Sequence, residues 1–276
     1  MAVITISRQV AALGDEIASD LAKELGYVFI DRKQIERRIV ECGFPQEKLL
    51  RYDERKPGFF ASLAKDRDEY LNYLQYAVLE AAEHGNCILI GRGAFKILED
   101  VPSLVSLRFV SADDIRLERL KKEKEWNDRQ AQNRISESDT NRKGFHKSFF
   151  NMESEDPRNF LITLNTGILS REEAVKIIEA TVKSYITPLK EECGKKMIER
   201  LLKGQRLVNQ LLFDYKLSIN FLHANIEENN DNVIILQGVA DSQAIADKAV
   251  QTAAKILPSC EIRSAISIVQ AFKAYQ

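Results

Sequence analysis

Residues 6–27 read ISRQVAALGDEIASDLAKELGY, and this stretch decides how the first half of the chain folds. It continues an alternating apolar run, MAVITIS, which predicts a buried strand. Ile17, Leu21 and Leu25 then recur on one face of a predicted helix. A strand that leads through a short loop into a helix aims the first backbone N–H groups of that helix at an anion. The segment therefore has the layout of a phosphate-binding loop.

The composition of this loop is unusual for that role. It contains one glycine, Gly14, followed by Asp15, whereas phosphate-binding loops usually have several glycines and a lysine. Glycine lets the backbone approach a phosphate closely, and a carboxylate about 4 Å from a phosphate costs about 4 kcal/mol per pair of unit charges at an effective dielectric near 20. The residues leave three interpretations open: a working loop, a degenerate one, or an ordinary turn.

Strand and helix patterns alternate through the rest of the first half, which predicts an α/β domain with a mainly parallel sheet. Four further strands are expected, in YVFIDR, NCILIGRG, LVSLRFV and FLITLNTG. Residues 43–68 are expected to be irregular before a helix at about 66–84, and YDER (52–55) is a weak candidate for the mouth of a binding pocket. The charged segment 113–139 predicts one long helix, and Ser170 with Glu173 predicts a capping box.

The pattern changes after Pro188. An amphipathic helix is followed by two strand-like segments, LSINFLHANI and NVIILQGV, then by a helix and the final strand EIRSAISIV. This order is αββαβ and predicts a separate small domain. We therefore expect an α/β domain at residues 1–190 and a second domain at residues 195–276.

The composition narrows the class of protein. A formal net charge of -1, from 40 basic and 41 acidic residues, argues against broad binding of nucleic acid. No apolar run approaches the roughly 20 residues of a membrane span, so neither membrane insertion nor export is expected and the predicted location is the cytoplasm. Four cysteines without a CxxC pair and three scattered histidines give no reason to expect a bound structural metal.

Several motifs occur in a fixed order along the first 185 or so residues. They are ITISRQ with the loop and DEIA, LGYVFIDRKQI, GNCILIGRGAFKIL, DIRLERL, SDTNRKGFHKSFF and NTGILSREEAVKII. In this order they resemble the cytidylate kinase-like family, a branch of the P-loop nucleoside monophosphate kinases. The resemblance implies a P-loop kinase-like parallel sheet flanked by helices, and ATP-dependent phosphorylation of a nucleoside monophosphate such as CMP, with Mg²⁺.

The resemblance also assigns roles to residues. It places Arg92, Asp139 and Arg142 at the acceptor, and it makes Arg92, Arg116 and Arg119 the catalytic arginines, the last two in a lid over the donor phosphates. It implies that the phosphate-binding loop comprises Arg8, Ala11, Ala12, Leu13, Gly14, Asp15 and Glu16. The family loop typically reads Gly-Ser-Gly-Gly followed by a basic residue, so Ala11, Leu13 and Asp15 depart from it. Gly93 also replaces an acidic residue near Arg92, which puts cytosine specificity in doubt.

Other interpretations stay open for these arginines and for the function. Arg92 suits a structural ion pair as well as a phosphate, and Glu118 and Glu123 allow Arg116 and Arg119 to form a solvated salt-bridge face. The alternative functions are a non-catalytic nucleotide or phosphometabolite sensor and an interaction scaffold.

The second domain resembles the BON fold, on the segment NVIILQGVADSQAIADKAVQTAAKIL with the strand after it. Its expected role is regulation, ligand sensing or assembly of a homo-oligomer.

Overall fold

The computed structural model describes residues 2–49, Tyr52 and residues 64–269, the side chains of residues 64–66 excepted. Asp53 and Glu54 of the YDER segment lie outside these residues. The apolar runs of the first half form a five-stranded parallel sheet in the order β2-β3-β1-β4-β5. Its strands are β1 (Val3–Arg8), β2 (Val28–Ile30), β3 (Cys87–Ile90), β4 (Leu104–Val110) and β5 (Ile162–Asn165). The predicted parallel α/β sheet is confirmed.

Helices cover both faces of this sheet, because the central strands β1 and β3 are apolar and buried throughout most of their length. The helices are α1 (Gly14–Leu25), α2 (Arg32–Glu41), α3 (Gln46–Leu49), α4 (Ala64–Glu83), α5 (Ala94–Ile97), α6 (Asp113–Lys124), α7 (Asp128–Phe150) and α8 (Arg171–Tyr185). A 3₁₀ turn at Pro157–Asn159 precedes β5. Ser170 and Glu173 form the predicted capping box of α8.

The single helix predicted over residues 113–139 is wrong. Glu125 adopts a left-handed conformation (φ 55°) that ends α6, and Asn127 begins α7 in a capping box with Gln130. The chain therefore turns back on itself, and α7 continues to Phe150. Residues 43–68 also contain more regular structure than expected, since α3 and the beginning of α4 fall within them.

The C-terminal part forms a second, three-stranded sheet in the order β6-β7-β8, with strands β6 (Ile219–Glu227), β7 (Asn230–Ala240) and β8 (Glu261–Ile268). Strands β6 and β7 are antiparallel, whereas β7 and β8 are parallel. The helices of this part are α9 (Pro188–Asn209), a π-helical turn at Gln210–Asp214, and α10 (Gln243–Ile256), which makes the crossover between β7 and β8. The αββαβ order is as predicted, and the likeness to a BON domain stays a prediction.

Helix α9 contributes residues to the hydrophobic cores of both sheets. Ile198 and Leu202 belong to the hydrophobic core on one side of the parallel sheet, whereas Leu207 and Val208 belong to the core of the second sheet. Gly204 lets the helix approach β6 closely, because a Cβ there would lie 2.3 Å from the Ala224 carbonyl oxygen. The predicted boundary at residues 190–195 falls inside this helix, and the division into two domains remains a proposal.

Within the described residues, no helix has the combination of length and apolar character that crossing a bilayer requires.

Candidate active site

The loop between β1 and α1 keeps a backbone shape that usually needs glycine. Ala11 and Leu13 both have positive φ values, 58° and 55°, on either side of Ala12. Alternating right- and left-handed residues turn successive N–H groups into one concavity, which is an anion-binding nest. Leu13 caps α1 without a side-chain hydrogen bond, so the first N–H groups of the helix keep their capacity to bind an anion.

Side chains of the protein hold this loop in place. The Leu13 side chain packs against the hydrophobic core that contains Ile17, so it does not fill the concavity of the loop. Ala11 and Val10 pack against the small cluster formed by α6 and α7. These apolar contacts offset the strain of left-handed alanine and leucine residues, which is about 1–2 kcal/mol each.

Arg8, at the carboxyl end of β1, lies across Gly14. A Cβ on Gly14 would be 2.6 Å from the Arg8 Cγ, which explains why glycine is kept at this position. The Asp15 carboxylate lies 3.7 Å from the Arg8 guanidinium and is largely exposed, with 60% of its side chain accessible. The acidic side chains of Asp15 and Glu16 at this helix terminus are also favourable to the helix dipole.

Arg119 brings a positive charge to the loop from α6. Its guanidinium donates hydrogen bonds to the carbonyl oxygens of Ala11 (3.0 Å) and Thr166 (2.6 Å). Thr166, directly after β5, donates its own hydroxyl to the Ala12 carbonyl at 3.0 Å. A third contact of Arg119, to the Thr166 hydroxyl at 3.5 Å, is also with a neutral oxygen, so these contacts do not cancel the charge of Arg119. Burial lowers its pKa, an effect that the nearby Glu16 carboxylate partly opposes.

Arg116 has different partners, although it lies three residues from Arg119. Its guanidinium is fully buried and bonds Asp139 at 2.9 and 3.2 Å and Asp113 at 2.6 Å. Burial alone would lower the pKa of Arg116, but these hydrogen bonds outweigh burial and raise it. The two carboxylates therefore cancel its charge, and Arg116 joins α6 to α7. Its predicted part in catalysis stays a prediction.

Arg92 occupies a strained turn after β3. Three consecutive residues, Gly91, Arg92 and Gly93, have positive φ values, and Gly93 is closely covered by the ring of Phe150. The Arg92 guanidinium is buried, forms an ion pair with Glu36 of α2, and donates to the Tyr52 carbonyl at 2.8 Å. Strained backbone at a non-glycine residue is a frequent feature of functional sites.

A cluster of arginines surrounds this turn at the carboxyl edge of the sheet. Arg8, Arg92 and Arg142 line one small pocket, and Arg8, Arg108 and Arg142 line a second beside it. The two pockets offer only about 20 and 10 Å³ to solvent, which is room for about one water molecule each. The predicted acceptor residues Arg92 and Arg142 are therefore together, whereas Asp139 lies in the second pocket and binds Arg116.

Arg108 is a candidate residue that the sequence reasoning missed. It lies on β4, donates to the Ser7 hydroxyl at 3.3 Å, and its side chain is only 7% exposed. The Glu155 carboxylate is 3.9 Å from the Arg108 guanidinium and also binds Lys143. The signal in the sequence was a lone arginine in the otherwise apolar strand LVSLRFV.

The electrostatics of the cluster favour an anion. Burial, with smaller contributions from Arg32 and Arg8, lowers the pKa of Arg92. Burial also lowers the pKa of Arg108, against the opposing effects of Glu155 and Asp139. Guanidinium groups remain charged at neutral pH, so a lowered pKa means that positive charge is held at a free-energy cost. A phosphate group placed among these side chains would reduce that cost.

Comparison with protein families agrees with this geometry. A family model described as the Cytidylate kinase-like family matches residues 3–168, which is well over half of the chain. The chain belongs to the Cytidylate kinase-like family. The matched residues include all five strands of the parallel sheet, the loop and the arginine cluster. The family resemblance predicted from the motifs is confirmed, and a kinase-like phosphotransferase fold is established for this part.

Solved structures place this Cytidylate kinase-like chain among similar folds. An uncharacterized protein from Eubacterium ventriosum ATCC 27560 is 19% identical with a TM-score of 0.53, covering 67% of this chain and 99% of that one. Shikimate kinase from Bacteroides thetaiotaomicron is 15% identical, with a TM-score of 0.43 and coverage of 66% and 98%. A gluconokinase from Sinorhizobium meliloti 1021 is 15% identical, with a TM-score of 0.42 and coverage of 66% and 92%. No curated protein matches the chain.

Proposed function

We propose that this protein transfers a phosphoryl group from ATP to a nucleoside monophosphate, with CMP or a related pyrimidine nucleotide as the acceptor. The observation that carries the proposal is the loop before α1, where Ala11 and Leu13 keep the left-handed backbone of a phosphate-binding nest without glycine. Two left-handed non-glycine residues in one loop are the kind of backbone strain that clusters at functional sites.

The donor phosphates bind at the N-terminus of α1 in this proposal. The N–H groups of the loop and of the first helical turn cradle them, and Arg119 supplies the positive charge that a loop lysine gives in other P-loop proteins. Arg119 suits this role because its contacts are neutral oxygens, which a phosphate oxygen can replace. Thr166 holds the Ala12 carbonyl and so keeps the loop in shape.

The acceptor phosphate binds among Arg8, Arg92 and Arg142, next to the loop. Phosphoryl transfer needs positioning and neutralisation of charge more than it needs a nucleophilic side chain, and a group of convergent arginines supplies both. Arg92 would exchange its ion pair with Glu36 for the phosphate, and this exchange would open the small pocket between these side chains.

Magnesium fits the chemistry of the loop. Mg²⁺ is usually held by one or two carboxylates together with phosphate oxygens and water, and it neutralises the charge on the phosphates. Asp15 is the residue that would hold it, because its carboxylate is exposed beside the loop and Arg8 is its one ion-pair partner among the described residues.

An assay of purified protein with ATP, Mg²⁺ and each nucleoside monophosphate tests the proposal. We expect diphosphate formation, and we expect Arg142→Ala and Arg119→Ala to reduce it by about 100-fold or more. Arg158→Ala is the matched control, because Arg158 is 88% exposed and pairs only with Asp156 among the described residues. Melting temperatures of all variants separate loss of activity from loss of folding. Absence of turnover with every nucleotide would contradict the proposed phosphoryl transfer.

A sensor that binds nucleotide without turnover is the second candidate. It is favoured by the closed state of the acceptor pocket, in which Arg92 is engaged by Glu36 and by Tyr52. Saturable binding of a nucleotide in calorimetry, lost in Arg119→Ala and without diphosphate formation, would identify a sensor. Absence of any nucleotide binding would favour the remaining alternative, an interaction scaffold.

A further inference from the structure

A large cleft in the described part of the protein lies away from the arginine cluster, between the parallel sheet's helices and the second sheet. It has a volume of about 770 Å³, within the range of about 300–1,000 Å³ that is typical of small-molecule sites. Its walls come from α2 and α4 on one side and from α9, the π-helical turn and the end of α10 on the other. Interfaces between packed units are a preferred location for such sites.

Aromatic and aliphatic side chains form much of the wall. Tyr73 of α4 and Phe213 of the π-helical turn stack across the interface, with ring centroids 4.4 Å apart and planes 9° apart. Burial, together with Glu69 and Asp214, raises the pKa of Tyr73 to about 12, so its phenol stays neutral. Tyr76 lies one turn along α4, and Leu257 contributes from the opposite side. A flat, apolar ring would bury its surface against this wall.

Two cations of α9 lie at the cleft, and of the two Arg206 alone has a carboxylate partner among the described residues. A hydrogen bond with Tyr76 and the charges of Glu83 and Glu80 raise the pKa of Arg206. Lys203 and Arg206 are three residues apart and share one helix face. The Lys203 ammonium donates to the Asp231 carbonyl (2.9 Å) and the Cys260 sulfur (3.4 Å), and it has no ion pair with a carboxylate of the described residues. Arg206 lies 3.5 Å from Glu83.

The remaining charges of the cleft are partly neutralised within the protein. Arg38 is held by Glu80 and Glu41, and the hydrogen bond with Arg38 keeps the pKa of Glu80 low. Asp214 faces the same space and can accept a hydrogen bond from a polar group of a ligand. An anionic group is thus favoured only near Lys203 and Arg206, so a bound aromatic anion would have one preferred orientation in the cleft.

The π-helical turn is an independent sign of function. Residues Gln210–Asp214 continue α9 with a wider turn, closed by a hydrogen bond from the Tyr215 N–H to the Gln210 carbonyl. Such turns are rare and occur frequently at functional sites. Here the turn carries Phe213 and Asp214 into the wall of the cleft.

We propose that this cleft binds a small aromatic anion, with its ring against Tyr73, Tyr76 and Phe213 and its anionic group at Lys203 and Arg206. The site goes beyond the proposed phosphotransfer, since none of its residues belongs to the loop or to the arginine cluster. A nucleoside monophosphate and an aromatic carboxylic acid share the required chemistry.

Fluorescence of 8-anilinonaphthalene-1-sulfonate, an aromatic sulfonate, tests the proposal on the whole folded protein. We expect saturable binding that Lys203→Ala and Arg206→Ala each weaken by about tenfold, the loss of one charged contact. Leu257→Trp, which fills the cleft and keeps both cations, should also weaken it. Lys195→Ala is the matched control on the same helix, because Lys195 is 59% exposed and lies outside the cleft.

Three further results decide the location and the ligand class. Unchanged binding in Arg142→Ala supports a site separate from the arginine cluster, so this test can succeed even if the proposed phosphotransfer fails. Displacement of the probe by CMP identifies a nucleotide, and displacement by benzoate identifies an aromatic acid. Equal binding in the wild type, Lys203→Ala and Leu257→Trp would overturn the proposal, as would displacement by neither compound at millimolar concentration.

Discussion

Ala11 and Leu13 show that the loop before α1 can adopt two left-handed residues without glycine. Left-handed conformation costs an L-residue about 1–2 kcal/mol, and here each residue gains apolar contacts that glycine cannot make. Leu13 joins the core behind α1, and Ala11 contacts the cluster between α6 and α7. The loop is therefore anchored by packing rather than by backbone freedom.

Replacing Ala11 by glycine should leave the free energy of unfolding within about 1 kcal/mol of the wild type. Relief of left-handed strain is worth about 1–2 kcal/mol, whereas the added flexibility of the unfolded chain takes back about 0.4–1 kcal/mol and the lost contact of the methyl group about 0.8 kcal/mol. Ala12→Gly is the matched control, because Ala12 is fully buried and does not have a positive φ. We expect the control to lower stability by about 1 kcal/mol in urea unfolding. If both variants lost the same stability, the strain at Ala11 would be disproved.

Arg108 should matter more for ligand binding than for stability. Its pKa is lowered by burial, which means that the folded protein holds this charge at a cost. We expect Arg108→Met to leave the free energy of unfolding unchanged or to raise it by about 1 kcal/mol. We also expect it to weaken nucleotide binding in calorimetry by at least about tenfold, the effect of one charged contact. A large loss of stability with unchanged binding would make Arg108 a structural residue.

The sequence located most of these arginines but could not assign their partners. Spacing alone puts Arg116 and Arg119 on one helix face and Asp113 three residues before Arg116, but nothing local shows that Arg116 also binds Asp139 whereas Arg119 binds backbone carbonyl groups. Asp139 lies on α7 and the carbonyl groups lie in the loops after β1 and β5, so these partners depend on the tertiary fold. Arg108 was missed because a lone charge in an apolar strand does not show what it contacts, and its neighbours Ser7 and Glu155 are distant in the sequence.

At the scale of elements, the sequence contained evidence for the turn between α6 and α7, but the continuous helical pattern of charged residues obscured it. Charged residues continue across residues 113–139, but Asn127 and Gln130 have the spacing of a capping box and start a new helix. The break allows the two helices to pack together through Leu120, Ala131 and Ile135, and this pair contacts the loop through Ala11.

Asn127→Ala should lower the free energy of unfolding by about 1 kcal/mol, because the N–H group of Gln130 loses its acceptor. Asn133→Ala is the control: Asn133 is an exposed residue of the same helix, and alanine has the higher helix propensity. Hydrogen exchange should show faster opening of the first turn of α7 in Asn127→Ala alone. Equal protection of that turn in the two variants would show that the capping box is not needed.

At the scale of the molecule, α9 links the two sheets. Alternating hydrophobic patterns were sufficient to predict the strands of both sheets and their order along the chain, because those patterns reflect which face is buried. They could not show that one helix serves two cores, since apolar residues recur along the whole helix and nothing in their pattern tells which core Ile198, Leu202 or Leu207 joins. Tertiary contacts between distant parts of the chain determine which core each of these residues joins.

Gly204→Ala tests the close approach of α9 to β6. Alanine favours the helix by about 1 kcal/mol, but its Cβ would lie 2.3 Å from a backbone oxygen, and such overpacking costs about 1–3 kcal/mol. We expect a net loss of about 1–2 kcal/mol in urea unfolding. Lys196→Ala, at an exposed position of the same helix, should stay within about 0.5 kcal/mol of the wild type. A stabilised Gly204→Ala protein would mean that β6 moves freely away from α9.

The double role of α9 also determines where the chain can be shortened. A fragment that stops at residue 190 would retain every strand of the parallel sheet, yet it would lose Ile198 and Leu202 and expose the apolar surface of α4 that they cover. A fragment that begins at residue 195 would expose the apolar residues Ile198 and Leu202 on its first helix. We therefore expect either piece, expressed alone, to aggregate, whereas the two pieces mixed during refolding should rescue each other.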